Sequence, residues 1–576
     1  MSRDLSSAPS ITVDGTPLAQ EVLPSLERVV IDDHLHLPDM FAITFRDADR
    51  DVLSKTRISI GSVLRISGAP MGEASEGLLI NGEVTALEGE YQLDGSRIVV
   101  RGYDHSHRLV AGKRTETYRD VTDADIGRAI AERAGVEIGQ VDETDTTHEH
   151  ISQANLSDWD FLVSRAREIG FDMGVLDGKF YFKRPTEASE APGEGDYRAS
   201  DPLQLVMGTS LLSFYPRVTA AQQVSEVEVR GWDVEKKEPI VGTAPAATRS
   251  AELKDKPDQL ASVAGNGRSV VAASPVAAQT AADDAARAEA ERLASSFAEA
   301  EGTAHGHPDL KAGVAVSVSG VAEPFAGRYT LTRTRHVFDD EGYRTEFLVS
   351  GRQDRSLLGL ATSGAGGGPG GVPEPGRSGV MVALVTDNAD PQELGRVKLK
   401  FPSLDDDYES DWARVVQAGA GPERGAVILP EVNDEVLVVF EAGDVCRPYV
   451  VGGLYNGQDK PRLGGGDLFD NGAVTRRGLV SKEGHRIVFL DSSSRSGVCL
   501  LSGDDRLRFA LKQSDSTITM HSDGSISITS GGKLEIESDQ DIAIKAGANL
   551  ELEGSAGVKL KSSGIVDVDG SLIQLN

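Results

Sequence analysis

An eight-residue repeat near the C-terminus limits what this chain can fold into more than any other feature. Seven apolar pairs recur at a spacing of eight residues, with one residue, usually polar, inside each pair: Ile518 and Met520, Ile526 and Ile528, Leu534 and Ile536, Ile542 and Ile544, Leu550 and Leu552, Val558 and Leu560, and Val566 and Val568. In a strand, residues i and i+2 lie on one face. Each pair is therefore expected to face a core, and the residue between to face water.

One chain cannot bury these pairs by itself. A single antiparallel meander would leave one apolar face in water, and a single-chain solenoid with three octads per coil would have too few coils to be stable. Three chains wound about one axis bring all pairs into a shared core, where each aliphatic side chain contributes roughly 1.5–3 kcal/mol. The octads thus predict an obligate homotrimer with a stiff needle over residues 506–576.

The repeat changes register at its end, where Ile573 and Leu575 replace an expected pair at 574 and 576, and Asn576 follows. A prism cut off at this point exposes strand edges and apolar core, which proteins usually cover. We therefore expect Ile573, Leu575 and Asn576 to bind a separate partner that caps the tip.

Bulk composition narrows the class of protein. A chain of 576 residues should divide into roughly three to five domains, and its 63 glycines with only 5% aromatics favour many turns and short strands. The formal charge of −31 disfavours nucleic-acid and anionic-lipid partners. Because the first ten residues lack an apolar signal segment, we expect synthesis and assembly in the cytoplasm.

The rest of the chain predicts further β-rich regions. Short strands separated by turns over residues 10–110 suggest a small barrel, and residues 380–460 carry five or six more strands. Between them, Thr122 with Asp125 and Ser157 with Asp160 form capping boxes that predict two helix starts. The segment "SGAGGGPGGVPEPGRSG" is expected to be a linker.

Catalytic and metal-binding motifs give little support for chemistry. The two histidines of a His-x-His pair share one face of a strand and could supply two metal ligands, but a metal site needs further ligands from elsewhere. Four such pairs occur: His34 and His36, His105 and His107, His148 and His150, and His305 and His307. The sequence contains no G-x-S-x-G, H-E-x-x-H or C-x-x-C motif. We expect no catalytic residue, no cofactor and no metal site, and we interpret Glu535, Glu537, Asp539 and Asp541 as a solvated face of the needle.

Several motifs in a fixed order resemble the VgrG-type (valine-glycine repeat G) spike proteins of contractile injection systems, which are similar to the fused hub and central spike of contractile phage tails. The most specific are "ANLSDWDFLVSRAREIGF", "DGKFYFKRP", "SEVEVRGWD", "GRYTLTRTRHVF", "EGYRTEFLVSGR", "LGRVKLKFP", "PEVNDEVLVVFE" and "RPYVVGGLYNG". The resemblance covers about residues 10–576.

This resemblance implies a mainly β fold with α+β insertions and seven successive parts. They are a first hub β-barrel (1–110), an α/β hub element (111–190), a second hub β-barrel (191–355), a Gly/Pro-rich linker (356–379), an OB-fold barrel (380–460), a connector (461–505) and a triple-stranded, intertwined β-helix (506–576). In a homotrimer, the two related barrels would make a pseudo-sixfold ring.

The resemblance also implies partners: a hexameric inner tube at the hub, baseplate proteins, a PAAR-like tip protein and possible effector cargo, without nucleic acid. The stretch before the octads is too short for a lysozyme domain, and no toxic extension follows Asn576, so a bare spike is expected. We favour a released or phage-tail-like particle over a type VI apparatus. The alternative is a carbohydrate-active enzyme or adhesin on a trimeric β-helical stalk.

Overall fold

A computed structural model describes residues 8–574, apart from 71–75, 94, 199, 234, 235, 237, 264, 266, 272–277, 354–379, 406 and 464–467. The chain is mainly β, with 42% of residues in strands and 13% in helices, as the sequence predicts. It divides into two compact units, Met1–Gln458 and Asp459–Asn576. The expected linker lies outside the described residues.

The first β region contains the strands predicted over residues 10–110. Its elements are β1 (Ser10–Val13), β2 (Thr16–Pro17), β3 (Leu26–His34), β4 (Met40–Arg46), α1 (Val52–Thr56), β5 (Val63–Gly68), β6 (Gly77–Gln92) and β7 (Gly95–Asp104). Alternate residues of β4 point inward, so that Phe41, Ile43 and Phe45 are fully buried. They form the centre of the region's core.

An α/β region follows. Its elements are α2 (His107–Val110), β8 (Arg114–Tyr118), β9 (Val121–Thr122), α3 (Asp123–Arg133), β10 (Glu137–Val141), β11 (Thr147–His148), β12 (Ile151–Leu156), α4 (Asp158–Ile169), β13 (Asp172–Leu176) and β14 (Lys179–Lys183). Both predicted helix starts are confirmed, because the Thr122 and Ser157 hydroxyls accept hydrogen bonds from the N–H groups of Asp125 and Asp160.

A second β region extends to Val349. Its elements are β15 (Gln204–Val206), β16 (Leu211–Val218), β17 (Glu226–Asp233), β18 (Glu238–Pro245), β19 (Ala251–Glu252), α5 (Pro257–Val263), β20 (Arg268–Val271), α6 (Gln279–Ser295), β21 (Ala298–His305), β22 (Ala315–Ser319), β23 (Gly327–Thr330), β24 (Arg333–Asp339) and β25 (Gly342–Val349). Helix α6 packs its alanines against β17 and β18.

One eleven-stranded antiparallel sheet joins the two β regions. Its order is β16-β21-β25-β24-β3-β4-β7-β6-β5-β1-β2. The junction is the pairing of β24 with β3, in which Thr334 lies opposite Asp33 and Val337 opposite Val30. Strands about 300 residues apart in sequence thus become neighbours, and the end of β3 lies close to the second region.

Residues 381–453 form a smaller five-stranded sheet with its own core. Its elements are β26 (Met381–Asp387), β27 (Lys398–Lys400), β28 (Arg414–Val415), β29 (Ala420–Gly421), β30 (Arg424–Gly425), β31 (Glu435–Phe440) and β32 (Pro448–Gly453). The sheet order is β27-β26-β31-β32-β28, and β29 pairs with β30 as a separate hairpin. Phe401, Val436 and Val438 are fully buried in the core.

The second unit contains β33 (Phe469–Asp470), β34 (Ala473–Val474), β35 (Arg476–Val480), β36 (Arg486–Ser492), β37 (Arg495–Leu501), β38 (Leu507–Lys512) and β39 (Thr517–Ser522). The last five form an antiparallel meander in chain order. Residues 523–574 contain no helix or strand, although all of them are described. Short 3₁₀ helices occur elsewhere, at Leu23–Ser25, Ala188–Glu190, Glu323–Phe325 and Glu441–Gly443.

Candidate functional site

The octads have a regular conformation in the single chain, although they form no strand after β39. Bends recur every eight residues, at 523–524, 531–532, 539–540, 547–548, 555–556 and 563–564, and the six-residue stretches between them have no assigned helix, strand or turn. Four serines fix bends by accepting a hydrogen bond from the N–H two residues on, over 3.0–3.3 Å: Ser522, Ser530, Ser538 and Ser562. These serines recur at the octad spacing or a multiple of it, but their role was not predicted from the sequence.

The single chain buries none of the fourteen predicted core residues of the needle, which are exposed by between 53% and 71%. Two of them lie in β39, and the other twelve lie in the stretches between the bends after it. The fourteen are Ile518, Met520, Ile526, Ile528, Leu534, Ile536, Ile542, Ile544, Leu550, Leu552, Val558, Leu560, Val566 and Val568.

The physical reason for this exposure is that one copy has no second layer to place over its own octads. A core made of these residues is therefore absent from the single chain, and their burial between three copies stays a prediction. Large aliphatic side chains in this number rarely remain in water on a stable protein surface. The single chain thus presents the octad pairs without covering them.

The apolar surface begins earlier than the sequence indicated. Cross-strand pairing aligns Leu479, Ile487, Leu500, Phe509 and Met520 in one row across the meander. Each is at least 37% exposed. Met520 belongs to the first octad pair, so this face of the meander continues into the octads.

A second row on the same face strengthens this observation. Phe489, Val498, Leu511 and Ile518 are aligned across four strands, each two residues from a member of the first row and therefore on its side of the sheet. The expected connector, 461–505, thus contains β33 to β37. Sequence alone had no signal for it, because strands with apolar residues on both faces do not alternate cleanly.

At the tip, Ile573 is 51% exposed and the neighbouring Leu572 is 81% exposed. Leu575 and Asn576 lie outside the described residues. The carboxylates Glu535, Glu537, Asp539 and Asp541 are all exposed, and Glu535 pairs with Lys533 at 2.7 Å.

The histidine pairs contact nearby residues rather than one common centre. His36 donates its main-chain N–H to the His34 ring over 3.0 Å. His105 and His107 lie 3.7 and 3.3 Å from Glu83, which also binds Arg108.

The other two pairs behave in the same way. His148 lies 3.0 Å from Asp123, and Arg165 binds the same carboxylate at 2.7 Å. His307 lies 3.7 Å from Asp309. Among the described residues, no three His, Cys, Asp or Glu side chains are arranged to hold one metal ion. No helix within the described ranges is long and apolar enough to cross a membrane.

Two family models match the chain. Residues 381–455 match the type VI secretion system/phage-baseplate injector OB domain, which coincides with β26–β32. Residues 66–340, slightly less than half of the chain, match the Alg8 N-terminal domain.

Curated relatives are similar over a short stretch. The type VI secretion system spike protein VgrG2a of Pseudomonas aeruginosa is 33% identical over 101 residues, which are 16% of this chain and 12% of the relative. The actin cross-linking toxin VgrG1 of Vibrio cholerae is 34% identical over 97 residues, 16% of this chain and 9% of the relative. The chain thus aligns with only about a tenth of the length of these relatives.

A solved structure is similar over most of the chain. It is a chain of the lidded Francisella PdpA-VgrG complex, with a TM-score of 0.50 and 9% identity, covering 90% of this chain and 81% of that one. At this identity the likeness shows the fold alone. Together with the sequence matches, it confirms the predicted resemblance to VgrG-type spike proteins.

Proposed function

We propose that this chain is the structural spike of a contractile injection particle and works as a homotrimer. Three copies would share the octads as a triple-stranded β-helix, and contraction of a sheath would drive that needle through a target envelope. The role requires no chemical step.

One observation carries the proposal: fourteen aliphatic side chains repeat with one geometry, and none is covered in the single chain. Complete burial of such a side chain is worth roughly 1.5–3 kcal/mol. The stretches between the bends belong to no helix or sheet in the single chain, so their main-chain N–H and C=O groups also need partners. Adjacent copies supply both the apolar contact and the hydrogen bonds.

Apolar side chains are exposed in the same way on one face of β35–β39, the strands that precede most of the octads in the chain. Its two apolar rows end at Met520 and Ile518, the first octad pair. We infer that three meanders face one another at the base of the needle, so that the shared core begins near Arg476. The rod would then be anchored over a longer interface than the octads alone provide.

The remaining parts of the role follow from the resemblance. The proposal assigns two barrels of the hub to the first and second β regions, and the trimer would present them as a pseudo-sixfold ring to a hexameric inner tube and to baseplate proteins. The residues Ile573, Leu575 and Asn576 would bind a PAAR-like tip protein. The particle would be assembled in the cytoplasm and then either retained or released. Effector cargo is a further partner in this proposal.

The alternative was a carbohydrate-active enzyme or adhesin on a trimeric stalk. The curated relatives described above include a type VI spike protein, and they do not favour that alternative. The name of one relative includes a toxin activity, but the alignment covers only 9% of that protein. We therefore propose that this chain is not an enzyme.

The test uses one octad and a matched pair of substitutions. Ile542→Lys places a charge at a predicted core position, whereas Ala543→Lys places the same charge at the neighbouring position that faces water. We expect light scattering coupled to size exclusion to show a trimer for the native chain and for A543K, and monomer or aggregate for I542K. A well-folded native monomer, or equal disruption by both substitutions, would refute the proposal.

A further inference from the structure

The charged residues of the octads follow a pattern that solubility alone does not require. Each octad has three positions that alternate with its apolar pair: the residue before the pair, the residue inside it and the residue after it. We call one such position, followed from octad to octad in steps of eight residues, a column. Every charged residue in the three columns is exposed in the single chain.

Within each column, charged residues eight positions apart have opposite signs, and seven neighbouring pairs follow this rule. The columns contain Lys533 and Asp541; Glu551, Lys559 and Asp567; and Glu537, Lys545, Glu553, Lys561 and Asp569. Charged residues sixteen positions apart in a column have like signs instead: Glu535 and Glu551, Glu551 and Asp567, Glu537 and Glu553, Lys545 and Lys561, and Glu553 and Asp569.

The single chain does not use this pattern. Its contacts between charged or titratable side chains in this stretch join residues two positions apart, Lys533 with Glu535 at 2.7 Å and His521 with Asp523 at 3.1 Å. Among the described residues of the octads, no ion pair joins one octad to the next. The alternation of charge over eight residues therefore needs another explanation.

The proposed trimer brings the columns of different copies together. Each octad would cover one side of a triangular prism, so that a chain returns to the same side only after three octads. Threefold symmetry fills the two places between with octads of the other two copies. Each octad then lies beside the next octad of another copy, about 4.7–4.9 Å away, and stacking of the apolar pairs aligns the columns.

We propose that the columns form a charge ladder between copies, which selects a second copy of this chain in one register; this inference rests on the proposed homotrimer. In that register, all seven neighbouring pairs in the columns are attractive. A copy that slipped by one octad would place each octad beside its own counterpart or beside the octad two steps away. In both cases like charges would meet.

The apolar core cannot make this distinction, because every octad offers it a similar aliphatic pair. Opposite charges on neighbouring strands attract each other and like charges repel. A single exposed ion pair contributes little, whereas a network contributes more. Because threefold symmetry repeats every contact of the ladder, a slip exchanges many attractive contacts for repulsive ones.

Lys533 and Asp541 provide the cleanest test, since the other neighbours in their column, Ser525 and Asn549, are uncharged. Asp541→Lys places two lysines side by side between copies and should raise the dissociation constant of the trimer at least about tenfold at low salt. Adding Lys533→Asp to D541K reverses the pair and should restore most of the loss. Light scattering coupled to size exclusion, over a series of urea concentrations, measures dissociation of the full chain.

Asp539→Lys is the matched control. It makes the same change of charge two residues away, at a position whose counterparts in the adjacent octads, Gly531 and Gly547, are uncharged. We expect D539K to dissociate like the native chain. Salt at about 1 M should remove most of the difference between D541K and D539K, because the Debye length is then about 3 Å. Equal effects of the two variants, or no restoration by the reversed pair, would overturn the ladder.

Co-expression tests whether the paired charges belong to different copies. The D541K chain has lysine at both positions of the pair and the K533D chain has aspartate at both, so that each repels itself and attracts the other. Chains with different tags should form mixed trimers more often than two equally tagged native chains do. An unchanged proportion of mixed trimers contradicts the ladder. Should D541K alone be insoluble, rescue by K533D supports the ladder and absence of rescue contradicts it.

The outcomes also separate this inference from the proposed function. A native chain that is monomeric refutes the homotrimer and the charge ladder together. A native trimer in which D541K and D539K dissociate equally refutes the ladder alone, because the apolar pairs would still hold the three copies together.

Discussion

The two units of this chain treat their apolar residues in opposite ways. In the first unit, Phe41, Phe180 and Phe401 are fully buried in three separate cores. In the second unit, Val488 and Ala510 are the buried apolar residues among those that the structure describes, and the octad pairs are exposed. The first unit covers most of its large apolar side chains within one chain, whereas the second leaves most of its own exposed, as the proposed homotrimer requires.

The difference between the units illustrates a general rule: the folding of one chain and the association of several copies are both driven by the burial of apolar area. In the first unit, helices and strands of different length and direction cover one another's apolar faces and form five hydrophobic clusters. A strict short repeat offers only identical surfaces, so that its natural complement is another copy of itself.

The largest expected effect separates the two units directly. Phe180→Ala removes a fully buried ring from the core of the α/β region and should lower the free energy of unfolding of the first unit by about 3–5 kcal/mol. Ile536→Ala, at a position 71% exposed in the single chain, should leave that transition unchanged. Tryptophan fluorescence during urea unfolding measures it, since Trp159, Trp232 and Trp412 all lie in the first unit.

Equal shifts from these two variants would break the comparison, because they would mean that the octads stabilise the first unit. The trimer itself should respond in the reverse order. We expect I536A to weaken assembly at low concentration more than F180A does, provided that the first unit is folded.

A second, intermediate effect concerns pH and the first unit alone. Burial acts to raise the pKa of Asp123, but the Arg165 guanidinium and His148 lower it to about 2. The interactions of ionised Asp123 with Arg165 and His148 therefore stabilise the fold fully above about pH 4. This stabilisation, about 2 kcal/mol, is lost as the pH falls through about 2. The same fluorescence measurement in acid should show a shallower loss for Asp123→Asn than for the native chain.

The control for that experiment is Glu143→Gln, since Glu143 is 77% exposed although it binds Arg128. An exposed pair contributes little, so E143Q should retain the native slope. A native slope in D123N would show that the buried pair does not govern acid stability.

The smallest effect tests local structure within the first unit. Ser157→Ala removes the hydroxyl that accepts the Asp160 N–H over 3.0 Å at the start of α4 and should cost about 1 kcal/mol. Ser164→Ala, inside the same helix, provides the matched control and should cost less, because its hydroxyl donates to the Phe161 carbonyl instead of accepting a main-chain N–H at the helix start. Equal losses would mean that the cap is not what fixes the helix start.

Much of the fold was predictable where the signal is local. The start of α4 at Asp158 follows from one hydroxyl and its neighbours, and the turn at Asp177 and Gly178 follows from two residues that tolerate positive φ. The pairing of β24 with β3 was not predictable, because nothing in a strand of seven residues specifies a partner about 300 positions away. Strands β33–β37, in the segment expected to be a connector, were not predicted because apolar and polar residues do not alternate cleanly there.

The candidate site was likewise only partly predictable from the sequence. The fourteen aliphatic positions were evident from spacing alone, but the serines that fix the bends were not, because a polar residue in a loop has many possible roles. The apolar rows of the meander emerged only from strand register, which decides whether Leu500 and Phe509 share a face.

The sequence by itself determined the period of eight, the helix caps and the mainly β class, since each depends on neighbours a few positions apart and on how a strand or helix orients them. The tertiary structure alone decided that β24 pairs with β3 and that the two β regions therefore share one sheet. The physical reason is that contacts between distant segments depend on the whole set of competing pairings, whereas local geometry depends on the chain's own stereochemistry.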